Sequence, residues 1–286
     1  MSYVLGIVGS KRRLGNCDVL TKLVMQQCER SGVSTKLVYL DEFGINTCRG
    51  CLRCVIKGSC PQKDDMEKLL EIMLGATGLV LAAPTYLFSA SGVIKTIIDR
   101  ALMLSSFLSE LDVSRRAVTI SVAGNELWNP LGSEFLNQFC FAYGFTVTDY
   151  LQAYSPGPAE VLLENQYVSA AKRLAKNLSE PNTSRRNPEK NQCPVCYSKT
   201  VSYTSNDKIR CSFCLTEAKI NGQGSLTFNV EKGQESFWTP EHRRKHLEDW
   251  ILVTRDKFLE NRNKVKDELL KLNYKAGETK NNTCGQ

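Results

Sequence analysis

The sequence predicts a doubly wound α/β fold built on a five-stranded parallel sheet. Short apolar runs rich in Val, Leu and Ile alternate with segments whose apolar residues recur at helical spacing. Such runs are typical of parallel strands that are buried on both faces. Polar loops follow three of the runs, and ligands of sheets in this class bind at the carboxyl ends of the strands.

The elements alternate regularly along the chain. The first strand is predicted over 3–9, and Leu20, Val24 and Cys28 indicate a helix after it. Asp64 and Asp65 open a later helix, because acidic side chains are favoured in a first turn. The other strands are expected over 34–40, 78–83, 117–122 and 145–151, and the other helices over 93–102, 131–143 and 159–178.

Strand order decides which loops meet. In the flavodoxin-like order 2-1-3-4-5, strands one, three and four are neighbours, so loops 9–17, 84–92 and 123–130 converge on one crevice. Loop 9–17 joins a strand to a helix N-terminus, where backbone amides and the helix dipole attract an anion. It matches neither the Walker lysine pattern nor G-x-G-x-x-G. A single phosphate, as on FMN, fits it.

The cysteine loop (residues 48–60) contains Cys48, Cys51, Cys54 and Cys60. A C-x2-C-x2-C run directs three thiolates to a common centre, and a fourth ligand follows, which suits a [4Fe-4S] cluster. Zinc sites more often use two separated C-x-x-C knuckles. A zinc knot and a disulfide pair remain the alternatives, and the loop follows strand two at the same sheet edge as the crevice.

Composition indicates a cytoplasmic protein. No apolar run approaches the length of a membrane span, and the start of the chain reads as a strand and not as a signal peptide. Twelve cysteines in a reducing compartment point to metal binding. Residues 1–180 carry 18 Lys and Arg against 17 Asp and Glu, and residues 181–286 carry 19 against 13. An ordinary solvated surface explains this excess better than a nucleic-acid site.

The last third of the chain is predicted to be modular. A first domain over 1–178 is followed by a polar linker over 179–192 and a zinc ribbon over 193–235. The ribbon ligands are Cys193, Cys196, Cys211 and Cys214, in two C-x-x-C knuckles typical of tetrahedral zinc, with iron as the alternative. Residues 239–275 should be helical, with Thr239 as N-cap, and residues 276–286 disordered.

Three motifs in order resemble the iron–sulfur flavoprotein family, a branch of the NAD(P)H-dependent FMN reductases with flavodoxin fold. They are Gly9-Ser-Lys-Arg-Arg-Leu-Gly-Asn16, the cysteine loop, and Pro84-Thr-Tyr-Leu-Phe-Ser-Ala-Ser-Gly92 with Ile98-Asp99-Arg100 beyond it. The resemblance implies that the FMN phosphate is held by Ser10, Arg12, Asn16 and Cys17, and that Pro84, Thr85, Tyr86, Leu87 and Phe88 run beside the flavin ring. Gly124 joins these as a cofactor-binding candidate in the third loop. The resemblance also implies a homodimer or homotetramer.

The leading hypothesis is therefore an electron-transfer flavoprotein oxidoreductase. Electrons would pass between a reduced donor, NAD(P)H or a ferredoxin, a [4Fe-4S] cluster, FMN, and a small-molecule or protein acceptor. One alternative is an NAD(P)H:FMN or quinone reductase whose four loop cysteines hold no cluster. Another is a redox-sensing binding protein that uses the basic ribbon. Two histidines, both outside the α/β part, leave little scope for hydrolytic catalysis.

Overall fold

The computed structural model describes residues 3–108, 111, 114–180, 182–205, 208–229 and 239–271. The chain divides into two compact units, Met1–Arg244 and Lys245–Gln286. The first unit contains the central sheet and the cysteine ribbon. Residues 276–286, predicted to be disordered, lie outside the described residues.

The central sheet confirms the predicted class and strand order. Its strands run β2-β1-β3-β5-β6 and are parallel, and the short β4 pairs antiparallel with the end of β3. β3 extends beyond the predicted run at both ends, and its pairing with β4 adds Thr85 and Tyr86. The strands are β1 Tyr3–Val8, β2 Thr35–Tyr39, β3 Ala76–Tyr86, β4 Ser89–Ala90, β5 Arg116–Ala123 and β6 Thr146–Tyr154.

Helices cover both faces of the sheet. The helix predicted over 159–178 begins later, because Glu164 has an extended backbone and separates a 3-10 turn, Glu160–Leu163, from the helix proper. The helices of this part are α1 Asn16–Arg30, α2 Arg53–Lys57, α3 Met66–Leu74, α4 Gly92–Ile98, α5 Gly132–Ala142 and α6 Asn165–Ser179, and 3-10 turns cover Leu40–Glu42, Ala101–Phe107 and Glu126–Trp128.

Two hydrophobic cores result from the alternation of side chains along each strand. In β1, Val4 and Val8 point to the face that packs against α1 and α6, whereas Leu5 and Ile7 point to the face covered by α3, α4 and α5. These side chains are almost fully buried. Each contributes about 1.5–3 kcal/mol of burial free energy, which holds the strand ends and their loops in place.

The ribbon is a four-stranded antiparallel sheet in the order β10-β9-β8-β7. Within the first unit, the ribbon packs against α5 and β6. Asn137 of α5 donates to the Cys196 carbonyl at 2.9 Å, and the Tyr197 hydroxyl donates to the Thr148 carbonyl of β6 at 3.1 Å. Gln192, in the predicted linker, is buried and donates to the Tyr150 hydroxyl at 2.9 Å. The ribbon strands are β7 Val201–Ser205, β8 Lys208–Cys211, β9 Glu217–Ile220 and β10 Leu226–Phe228.

The described residues after the ribbon, 239–271, are largely helical, as predicted. In α7, Pro240–Lys245, the Thr239 hydroxyl accepts the His242 amide at 3.2 Å, which confirms the expected N-cap. Within the second unit, His246–Leu252 is π-helical and leads into α8, Val253–Lys271. None of the helices that the structure describes is both long and apolar enough to cross a bilayer.

Candidate functional site

A cleft of about 480 Å³ opens where β1, β3, β5 and β6 end. Its volume lies in the usual range for small-molecule sites, about 300–1,000 Å³. The cleft lining brings together Ser10, Arg12, Asn16, Cys17, Pro84, Thr85, Tyr86 and Gly124, whereas Leu87 and Phe88 lie outside it. Sequence reasoning missed Lys11, Gly15, Val122, Ala123, Ser155 and Pro156, although the Ser155-Pro-Gly-Pro158 turn after the fifth strand was a signal for the last two.

Backbone and side-chain hydrogen bonds shape the first loop of the cleft. The Gly9 amide donates to the Ala82 carbonyl at 2.7 Å, so the loop leaves the sheet beside β3. The Ser10 hydroxyl accepts the Arg12 amide at 3.2 Å, and the Arg12 carbonyl accepts the Gly15 amide at 3.2 Å. Gly15 is the N-cap of α1 and has no side chain to cap it. The first amides of the helix therefore remain available to an anion.

Asp18, in the first turn of α1, anchors loop 9–17. Its carboxylate accepts the Leu14 amide at 2.7 Å, the Lys22 ammonium at 2.9 Å and the Tyr39 hydroxyl at 2.9 Å. Burial opposes the ionisation of Asp18, but these donors outweigh it and hold its pKa below the usual value. The bond to Leu14 fixes that residue at a φ of 57°, a conformation that costs a non-glycine residue energy.

The side chains of Asn16 and Cys17 turn toward the protein. Asn16 Nδ2 donates to the carbonyls of Ser155 and Gly157, both at 2.9 Å, and its buried Oδ1 has no partner among the described atoms. Burial raises the pKa of the Cys17 thiol to about 12, so it is neutral at pH 7. Neither side chain presents a strong donor for a phosphate, and these positions offer their backbone amides.

Two cations at the cleft are not neutralised. Arg13 is bound to Asp41 and Glu42 and lies 3.6 Å above the Tyr39 ring. Within the described residues, no carboxylate pairs with Lys11 or Arg12, both of which line the cleft. Their charges are therefore directed to whatever occupies the site.

The second wall is a tight hairpin between β3 and β4. Its two central residues, Leu87 and Phe88, have φ of 46° and 71°, which is the type I′ geometry that usually requires Asn and Gly. Leu87 is 92% exposed and gains little from burial. The Phe88 carbonyl accepts the Leu131 amide at 3.0 Å, and the Phe88 ring meets Trp128 edge to face at 6.5 Å. The strained turn thus presents apolar side chains beside the cleft.

A polar cluster connects the cleft to α5. The hydroxyls of Thr85 and Ser121 donate to Asn129 Oδ1 at 2.5 and 2.9 Å. Gly132, the first residue of α5, lies so close that an added Cβ would clash with all three side chains. Asn129 Nδ2 is buried without a partner among the described atoms. Close backbone approach therefore explains the glycine.

The cysteine loop is partly exposed. Cys48 and Cys51 are exposed, whereas Cys54 and Cys60 are half-buried. Burial raises the pKa of the Cys54 thiol, and the neighbouring Cys60 and Cys48 raise it further. At the loop's base, Arg100 and Asp64 form a buried ion pair at 2.7 Å.

The four ribbon cysteines form a compact set. Cys193 and Cys214 sulfurs are 3.4 Å apart, and those of Cys196 and Cys211 are 3.3 Å apart. All four sulfurs lie within 4.8 Å of one another, and no other group of three or more His, Cys, Asp or Glu ligand atoms in the described residues is as compact. Sulfurs on one tetrahedral zinc lie about 3.8 Å apart, given Zn–S bonds of about 2.3 Å. The ribbon therefore fits a single ion.

Comparison with known proteins decides the family. The family model described as NADPH-dependent FMN reductase matches residues 2–126. A putative NAD(P)H-dependent FMN-containing oxidoreductase of Bacillus subtilis is 30% identical over 179 residues, which cover 59% of this chain and 94% of the relative. The chain belongs to the NADPH-dependent FMN reductase family.

Within this family, the expected relation to iron–sulfur flavoproteins is confirmed. An iron–sulfur flavoprotein of Archaeoglobus fulgidus is 36% identical over 98 residues, 34% of this chain and 44% of the relative. The chain spans about half the length of the curated iron–sulfur flavoproteins it matches first. A structure described as flavone reductase has the same fold, with a TM-score of 0.74 at 20% identity, covering 96% of this chain and 99% of the other.

Proposed function

We propose that the chain is an FMN-dependent oxidoreductase that takes electrons from NAD(P)H. One observation carries the proposal: uncapped amides of α1 and the unneutralised Lys11 and Arg12 meet at one cleft, in a member of an FMN reductase family. Amides at a helix N-terminus and free cations suit a phosphate. The relatives named for NAD(P)H and FMN support the choice of cofactor and donor over a ferredoxin.

The cleft residues fit such a ligand. The Ser10 hydroxyl accepts from Arg12, so its own hydrogen is free to donate to a phosphate oxygen. The orphaned Oδ1 of Asn16 is an acceptor, so it would take a hydrogen bond from a hydroxyl of the sugar-alcohol chain of FMN and not from an ionised phosphate. Pro84–Tyr86 and Gly124 would line the ring. When bound, FMN supplies hydride or single-electron transfer.

The residues of the chain would bind the flavin, orient it and shield it from water. Among the residues that line the cleft there is no Asp, Glu or His, so the side chains most often used as general bases are absent from that lining. The exposed Tyr86, Leu87 and Trp128 beside the cleft support a homodimer or homotetramer in which a second copy covers the opening.

We propose that the cysteine loop holds a [4Fe-4S] cluster through Cys48, Cys51, Cys54 and Cys60, and that the ribbon holds zinc. No three loop thiols lie within the 4.8 Å span found in the ribbon. A cubane places its thiolates on separate irons and so tolerates wider spacing than a single ion. The several relatives named iron–sulfur flavoproteins support this reading.

The test is anaerobic purification of the full chain, followed by quantification of flavin, iron, sulfide and zinc and by NADPH and NADH oxidation assays. We expect FMN, about four iron and four sulfide, one zinc, and turnover that falls in Arg12→Ala. Arg30→Ala, at the other end of α1, is the matched control. Absence of flavin would refute the oxidoreductase. Flavin and zinc without iron or sulfide would support the alternative, a reductase whose loop cysteines hold no cluster.

A further inference from the structure

A buried guanidinium lies against one of the loop cysteines. The Arg100 side chain is 1% exposed and that of its partner Asp64 is 3% exposed. Arg100 Nη2 donates toward Cys60 Sγ at 3.3 Å and lies 3.5 Å from Met103 Sδ. The thiol that follows the C-x2-C-x2-C run is thus the one that meets a fixed cation.

The fork geometry of the guanidinium explains this arrangement. Nη1 donates to Asp64 Oδ2 at 2.7 Å and to the Asn46 carbonyl at 2.9 Å, which accounts for both its hydrogens. Nη2 donates to Asp64 Oδ1 at 3.3 Å with one hydrogen, so the other is left for sulfur. The Nε hydrogen lies on the same edge as that second hydrogen, and Nε is buried with no partner among the described atoms. Asp64 therefore occupies the edge between Nη1 and Nη2, and the adjacent edge between Nη2 and Nε faces Cys60 and still has an unused donor, the Nε hydrogen.

The same contacts close the base of the loop. Asp64 accepts the Asn46 amide at 2.9 Å, and Arg100 donates to the Asn46 carbonyl. Asn46 precedes Cys48 and Asp64 follows Cys60, so the ion pair clips both ends of the cysteine loop together. The Gln62 amide adds a bond to the Thr47 carbonyl at 3.1 Å.

We propose that Arg100 is a positioning residue that fixes Cys60 as the fourth cluster ligand and, through its N–H···S bond, raises the reduction potential of the cluster. This inference rests on the proposed [4Fe-4S] site. A donor to a ligand sulfur stabilises the more negative, reduced cluster, and hydrogen bonds to the sulfurs are one of the known controls of potential. Asp64 balances the charge of Arg100, so the directed N–H, and not a net charge, carries the effect.

Two variants test the proposal. Arg100→Lys keeps the ion pair but has a single ammonium, which cannot serve Asp64, Asn46 and Cys60 in the same fork. Arg100→Gln combined with Asp64→Asn removes both charges, so that no buried charge is left unpaired. Arg173→Lys is the control, because Arg173 pairs with the buried Asp149 at 2.7 Å on another part of the unit.

The readouts are iron, sulfide, zinc and flavin per chain and the midpoint potential from an anaerobic reductive titration followed by electron paramagnetic resonance. We expect the Arg100 variants to lose iron selectively, or to keep it with the reduction equilibrium shifted at least tenfold toward the oxidised cluster, a midpoint potential lowered by about 59 mV or more for one electron. Wild-type iron and potential in both variants would overturn the proposal. So would joint loss of iron, zinc and flavin in both, which would assign Arg100 to folding. Absence of iron and sulfide from the wild-type protein would instead refute the proposed cluster.

Discussion

Asp18→Asn is the sharpest test of how the cleft is supported. The carboxylate is fully buried and accepts from the Leu14 amide, Lys22 and the Tyr39 hydroxyl. Hydrogen bonds to charged groups are worth about 1.5–3 kcal/mol each. Lys22 is partly exposed, so solvent screens its share. Asparagine keeps one acceptor oxygen, but its amide NH₂ would face one of the donors that the second carboxylate oxygen now accepts. We therefore expect the free energy of unfolding to fall by about 2–4 kcal/mol.

The loss should depend on pH in a defined way. Because the folded-state pKa of Asp18 is lowered, its stabilising contribution is complete above the unfolded pKa of about 3.9 and is lost as pH falls through the folded value. Urea unfolding should show a constant gap in unfolding free energy between wild type and variant from about pH 5 to 8, and the gap should narrow as the pH falls below the unfolded pKa of about 3.9. FMN affinity should also fall, since Leu14 is released. Tyr39→Phe, which keeps the charge, should cost about 1 kcal/mol. A gap under 0.5 kcal/mol at pH 7 (roughly the scatter of surface substitutions), or one that does not narrow as the pH falls below the unfolded pKa of about 3.9, would refute the reasoning.

Three further predictions concern the ribbon, the hairpin and the start of α5. Cys211→Ser should abolish zinc binding, measured by elemental analysis, and lower the melting temperature of the full chain; retention of zinc would contradict the four-thiol site. Leu87→Gly should raise stability by about 1 kcal/mol in thermal unfolding, because glycine adopts positive φ freely and little burial is lost; a lower stability would show that Leu87 packs. Gly132→Ala should cost about 1–3 kcal/mol and weaken FMN binding, since its Cβ meets Asn129. Gly92→Ala, with open space around it, should be neutral by both measurements.

The fold could be predicted because each strand carries its own signal. The apolar runs and the helical segments between them predicted a doubly wound parallel sheet, and the flavodoxin-like order expected for such a sheet is the observed one. The end of β3 could not be predicted, because Tyr86 pairs with Ser89 across a turn whose residues, Leu87 and Phe88, carry no turn signal. Tertiary pairing overrides local preference there.

The site was predictable in place but not in detail. The polar loop after the first strand pointed to the cleft, and most of the proposed residues line it. The direction of the Asn16 side chain depends on the carbonyls of Ser155 and Gly157, which are about 140 residues away in sequence. Likewise, no local pattern indicates that Arg100 meets Cys60, since burial and Asp64 orient it.

The packing of the ribbon limits how this chain can be divided. Asn137 and Glu134 of α5 contact Cys196 and Lys199, while the first residue of the same helix touches the polar cluster at the cleft. A fragment that ends at residue 178 would keep every cleft residue and yet expose the face of α5 and β6 that the ribbon covers. The ribbon is therefore not a module that could be removed without exposing part of the α/β domain. Transfer of this module to another protein would have to carry the matching surface of α5 with it.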